Sequence, residues 1–233
     1  MSEARAQILA GIRRSLKRGR LEPAREAELR ERIAAHPRNL VPARAAILDD
    51  PSRVDLFVAM AEEVQATVAQ VNSSAAVPDE VVRYLAAENL PAELIIAPDP
   101  SLDEMPWSER PLLRIRRGRA EASDAVSLTP CNAAIAETGT LMLSSGAATP
   151  TTLNFLPDTH IVVVRSNQVV ATYEDGWDRL RSGGMMPRAI NFITGPSRTG
   201  DIEQRIELGA HGPRRLHIIL VDDRQKAGDG QGK

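Results

Sequence analysis

Apolar residues follow a helical period at the start of the chain and cluster in short blocks further on. In residues 2–18, Ile8, Leu9, Ile12 and Leu16 fall on one helical face, with Ser2 placed as N-cap and Gly19 as the stop. Residues 25–35 form a second helical segment, charged and poor in apolar positions, before Pro37, Pro42 and Pro51 interrupt the chain. Residues 1–50 therefore read as an N-terminal helical arm, able to lie on the main domain or on a partner. Beyond it, Ser52 and Asp55 suit a capping box that opens a helix whose stripe runs Val54, Phe57, Val58, Ala61, Val64 and Val68. Pro78-Asp79-Glu80 opens another helix, with proline early and acids in the first turn. Strands are expected at residues 94–97, 112–116, 125–128, 161–164, 191–194 and 216–221. Between them Tyr173, Trp177 and Leu180 mark a helix that stops near Gly183-Gly184.

Several of these strands are apolar throughout, as strands covered on both faces are. Their alternation with helices predicts a three-layer α/β/α domain over residues 51–224 with a mainly parallel sheet, followed by a disordered tail at 225–233. In such sheets ligands sit beyond the carboxyl ends of the strands. Two clusters rich in Gly, Ser and Thr fall there. One is the stretch 135–146, in which Glu137, Thr138, Gly139, Thr140 and Ser144 surround a short apolar strand. The other is Gly195-Pro196-Ser197-Arg198-Thr199-Gly200-Asp201.

Composition narrows the chemistry. A formal net charge of −2 gives no global field for nucleic acid or an anionic membrane. No apolar run reaches membrane-spanning length and no secretory signal opens the chain, so a soluble cytoplasmic protein is expected. With one cysteine, Cys131, the chain can build neither an internal disulfide nor a cysteine-held iron–sulfur cluster. His36, His160, His211 and His217 lack metal-ligand spacing, so no metal and no cofactor is expected in this chain.

The second cluster follows a strand and precedes an expected helix carrying Ile202 and Ile206. Free N–H groups at such a helix start, with Ser197, Arg198 and Thr199, suit a phosphate or carboxylate. Equally, Arg198 pairs with Asp201 or Glu203 in a capped loop. Glu137 serves either as general base or nucleophile in a dry site, or as an acceptor for its own turn. The stretch around it also reads as a hairpin turn before an ordinary strand. His211 either touches a ligand or caps the preceding helix. Cys131 is either a reactive thiol or a small packed residue, and Met185-Met186 either a contact surface or core filling.

Four blocks occur in order: AIAETGTL at 134–141, LPDTHIVVV at 156–164, GPSRTGDIE at 195–203 and GAHGPRRL at 209–216. Together they resemble the LUD domain family (DUF162, YkgG-like), over about residues 50–222. The resemblance implies a NagB/RpiA/CoA-transferase-like fold. It also implies membership of a three-component, iron–sulfur-dependent system that oxidises L-lactate to pyruvate, with the clusters on partner subunits; the preferred reading of this chain is an accessory subunit of it. One departure is Gly200, where the family usually has alanine, which would loosen the start of the expected helix. On this reading both clusters line one pocket for a small carboxylate or phosphate, formed by Thr138, Gly139, Thr140, Ser144, Gly195, Ser197, Arg198, Thr199, Asp201 and His211, with Glu137 as the catalytic candidate. Two other readings stay open: a stand-alone acyl-transfer or phosphosugar enzyme using Glu137, and a pure protein-interaction module.

Overall fold

A computed structural model describes residues 3–19, 21–38, 40–184, 186–202 and 205–222. The expected Ser2 cap and the tail at 225–233 lie outside these residues. The chain forms two compact units, Met1–Leu40 and Val41–Lys233. In the first, α1 (Glu3–Ser15) and α2 (Pro23–Ala35) are helices without a buried residue. Proline opens α2, and His36 ends it in the left-handed conformation.

The second unit is built on a six-stranded sheet in which every neighbouring pair is parallel. Its strands are β1 (Thr67–Val71), β2 (Glu93–Ile96), β3 (Arg114–Arg117), β4 (Val126–Pro130), β7 (Thr159–Arg165) and β12 (Arg215–Val221), in the order β1-β12-β7-β4-β2-β3. A second sheet, in the order β8-β5-β6-β9, comprises β5 (Ala133–Ile135), β6 (Thr140–Ser144), β8 (Val169–Val170) and β9 (Ile190–Ile193). A separate hairpin joins β10 (Arg198–Ile202) to β11 (Arg205–Leu208).

Side chains alternate across a strand, and the core divides accordingly. Ile161, Val163, Ile219 and Val221 pack with Val77, Val81 and Leu85 of α5 (Val77–Ala87). Val162, Val164, Ile218 and Leu220 point the other way, onto Val54, Phe57 and Ala61 of α4 (Asp50–Glu63) and onto Leu141 and Leu143 of β6. The fold is thus α/β around a parallel central sheet, as expected, with one outer layer completed by the small second sheet.

Three local expectations are corrected. Helix α4 starts at Asp50, capped by Asp49, whose carboxylate accepts the Ser52 N–H at 2.9 Å. It ends at Glu63, so Val68 belongs to edge strand β1 rather than to the helical stripe. The expected helix at 201–206 is the β10–β11 hairpin, with Thr199 opposite Glu207. β-Branched residues at 199, 202 and 206 favour a pleated strand, and Gly200 disfavours a helix.

Candidate functional site

The 135–146 stretch is a hairpin: β5 and β6 run antiparallel, with Ile135 opposite Thr140 and residues 136–139 as the connection. Gly139 has φ +63° and lies so close to the backbone of Met60 and Ala61 that a Cβ would overlap the end of α4. Gly195, at φ +73°, meets the carbonyl of Val64 in the same way. Both positions demand glycine because each turn is pressed against the last turn of α4.

Hydroxyls stitch the two clusters together. Thr140 Oγ1 lies 2.7 Å from Thr138 Oγ1, 2.7 Å from Thr194 Oγ1 and 3.0 Å from the Tyr173 hydroxyl. Thr138 and Thr140 thus bond to neighbouring hydroxyls, at the start of α7 (Tyr173–Ser182) and the end of β9. Glu137 is buried; its N–H donates to the Ala171 carbonyl at 3.2 Å, and its carbonyl accepts from the Arg44 guanidinium. Its carboxylate atom Oε2 is buried without a hydrogen-bond partner.

Two cavities hold expected site residues. The smaller, about 360 Å³, is lined by Thr194, Gly195, Pro196, Ser197, Arg198, His211, Gly212 and Pro213, together with Asn154, Phe155, His160, Phe192, Ile193 and Leu216. Four expected residues, Gly195, Ser197, Arg198 and His211, meet here. Glu137, Thr138 and Thr140 do not line it, so the proposed single pocket is split. Nor does a helix start supply its N–H groups: Arg198 opens β10, and its guanidinium reaches the Val64 carbonyl at 3.5 Å. Ser197 N–H is spent on the Pro213 carbonyl at 2.8 Å. His211 follows β11, so it caps no helix. The Thr199 backbone lies in β10, as does that of Asp201, whose side chain, like Glu203, lies outside what is described.

His160, which spacing alone did not single out as a pocket residue, stands at the start of β7, fully buried at the cavity wall. Its Nε2 is 2.8 Å from Thr129 Oγ1 and its Nδ1 has no partner. Burial pushes its pKa down to about 3, so the ring is neutral. In a dry wall a neutral imidazole offers one donor and one acceptor. The signal for it was the polar residue within an otherwise apolar strand.

The larger cavity, about 740 Å³, opens beyond the carboxyl ends of β2 and β4, and Ser144 lines it. The Cys131 thiol at its wall donates to the Ala133 carbonyl, and burial raises its pKa to about 12, so it stays protonated and packed. Met186 also lines this cavity; Met185 lies outside the described residues. Among the described residues no group of three or more His, Cys, Asp or Glu is placed to hold a metal ion. None of their helices is long and apolar enough to cross a membrane.

The larger cavity lies beyond the carboxyl ends of sheet strands. The smaller one, with the 195–198 cluster, lies by the starts of β7 and β12 and not at the carboxyl ends expected. An α/β domain with such polar cavities is of ligand-binding type. The LUD domain model matches residues 54–221, and the chain belongs to that family. Lactate utilization protein C of Deinococcus radiodurans is 39% identical over 142 residues, which cover 60% of this chain and 62% of that protein. The protein of the same name from Bacillus subtilis is 36% identical over 103 residues, 42% of this chain and 43% of the relative. Matches to these relatives thus span about half of their length. Escherichia coli YkgG is 27% identical over 236 residues, covering 94% of this chain and 98% of that protein. A crystal structure of a DUF162 family protein from D. radiodurans superposes with a TM-score of 0.54 at 27% identity, over 75% of this chain and 99% of that one.

Proposed function

We propose that this chain is an accessory subunit of an iron–sulfur-dependent system that oxidises L-lactate to pyruvate, and that its smaller cavity binds a small carboxylate. The observation that carries the reading is the meeting of Arg198, Ser197, His211 and His160 around one cavity. A guanidinium at the rim attracts a carboxylate and fixes it through paired N–H donors. The Ser197 hydroxyl and the His211 imidazole then face an α-hydroxyl or keto oxygen, with the buried His160 closing the wall behind them, while Phe155 and Phe192 shield the methyl end. The names of the relatives support the pathway. A sequence with one cysteine supports placing the clusters on partner subunits.

Lactate oxidation by the reconstituted system, with and without this chain, tests the role. Activity should collapse without it; undiminished turnover would sink the subunit reading. Calorimetric titration with L-lactate and pyruvate tests the cavity. Arg198→Gln should weaken binding by about tenfold or more, the usual loss when a charge-assisted pair is removed. Equal affinity in that variant would place the ligand elsewhere.

A further inference from the structure

The larger cavity stands where the topology of the sheet leaves an opening. β2 and β4 are neighbours, yet the next strand of this sheet after β2 is β3 on one side, and the next after β4, reached through the β5–β6 hairpin of the second sheet, is β7 on the other. Loops departing in opposite directions part above the strand ends, and ligands of open parallel sheets bind in that crevice. Asp99 and Ser101 enter it from beyond β2, and Thr129 from the last turn of β4.

The Asp99 carboxylate is engaged by Ser101, whose N–H and hydroxyl both donate to its Oδ1, and donors stand elsewhere on the wall. Arg188 lines the cavity and makes no ion pair or hydrogen bond among the described residues. The N–H groups of Ala147 and Ala148, on the loop after β6, likewise have no partner there. A guanidinium and free N–H groups lining one cavity suit an anion. Deeper in, Asn154 is 3% exposed, and its amide makes no hydrogen bond with any described residue. That amide is not among the sealed unpartnered atoms of the core but lines the cavity, where a ligand or water can complete it. Hydroxyl and amide side chains make up much of the rest of the wall, and none of the lining residues is aromatic. The composition favours a hydroxylated body over a flat ring that would stack.

We propose that this cavity is a second binding site, distinct from the small-carboxylate cavity, for a polyhydroxylated organic anion. Arg188 and the 147–148 N–H groups hold the charged head, and Asn154 and its polar neighbours hold the hydroxyls. At about 740 Å³ it has twice the volume of the smaller cavity, within the range of roughly 300–1,000 Å³ typical of small-molecule sites. Asn154 borders both cavities, so the two occupants lie on either side of one side chain.

The head group can be a carboxylate or a phosphate, and two probes separate them. The full chain, labelled for amide NMR, is titrated with gluconate and with glucose 6-phosphate. Saturable shifts at residues 144–149 are expected with at least one probe, and the probe that binds identifies the head. Arg188→Gln should weaken that binding by about tenfold or more, while its unfolding midpoint without ligand matches the parent, because Arg188 is exposed and unpaired. No saturable shift with either probe overturns the proposal. So do shifts confined to residues 194–213, or an affinity unchanged by Arg188→Gln. None of these outcomes depends on whether L-lactate binds at Arg198.

Discussion

His160 and His217 are both almost fully buried, and in both burial holds the pKa down, to about 3 and about 4. His217 stacks on Tyr84 with ring centroids 3.9 Å apart, and lies 2.8 Å from Thr67 Oγ1 and 3.2 Å from Glu80 Oε1. Glu80 pulls its pKa upward, but burial outweighs that pull, so the contact at neutral pH is a hydrogen bond and not an ion pair. A neutral folded histidine refuses the proton that the unfolded chain accepts below about pH 6.5. Stability is therefore fully present above that pH and falls as pH drops towards the folded values. The expected slope is roughly 1.4 kcal/mol per pH unit for each histidine. Urea midpoints measured from neutral pH down to mild acid should show this decline, and His217→Gln should flatten it. A profile with the same slope in that variant would remove His217 from the account.

The short elements carry the motif turns, and α4 is their anchor. Gly139→Ala and Gly195→Ala should each cost about 2–4 kcal/mol, the sum of a strained positive φ and overpacking against helix backbone. Gly200→Ala should be nearly neutral, because no atom lies within 4 Å of the added Cβ. Equilibrium unfolding distinguishes the three; a neutral Gly195→Ala would refute the docking on α4. The same elements mark the limit of what sequence alone conveys. Apolar blocks such as Ile161–Val164 were legible because burial on both faces leaves no polar interruption. β5 and β8 were not, since strands of two or three residues carry no period to count. The β10–β11 hairpin was misread because Ile202 and Ile206 are four apart, a spacing that fits a helix as well as it fits two strands. For the site, the glycines were recognised as special, but their reason lies in α4, more than 70 residues away from Gly139 in the chain and about 130 from Gly195. Only folding reveals that Arg198 shares a cavity with His160 and not with Glu137.

At the scale of the whole domain, the order of the sheet sets how it is completed. β12 lies between β1 and β7, paired with β7 over Arg215–Val221 and with β1 over His217–Val221, and its residues 216–221 are all buried. A chain ending at Arg214 keeps β1 without its sheet neighbour among the described residues and exposes the edge of β7 that β12 covers. Such a truncation should lose cooperative unfolding, read by circular dichroism in urea; a sharp two-state transition would contradict this. The consequence reaches into biosynthesis. Among the described strands of this sheet β12, which joins β1 to the rest, is made last, so translation leaves the sheet open until residue 221 has been added. Over that interval, the unpaired flanks of β1 and β7 are the surfaces that a chaperone must shield from other nascent chains.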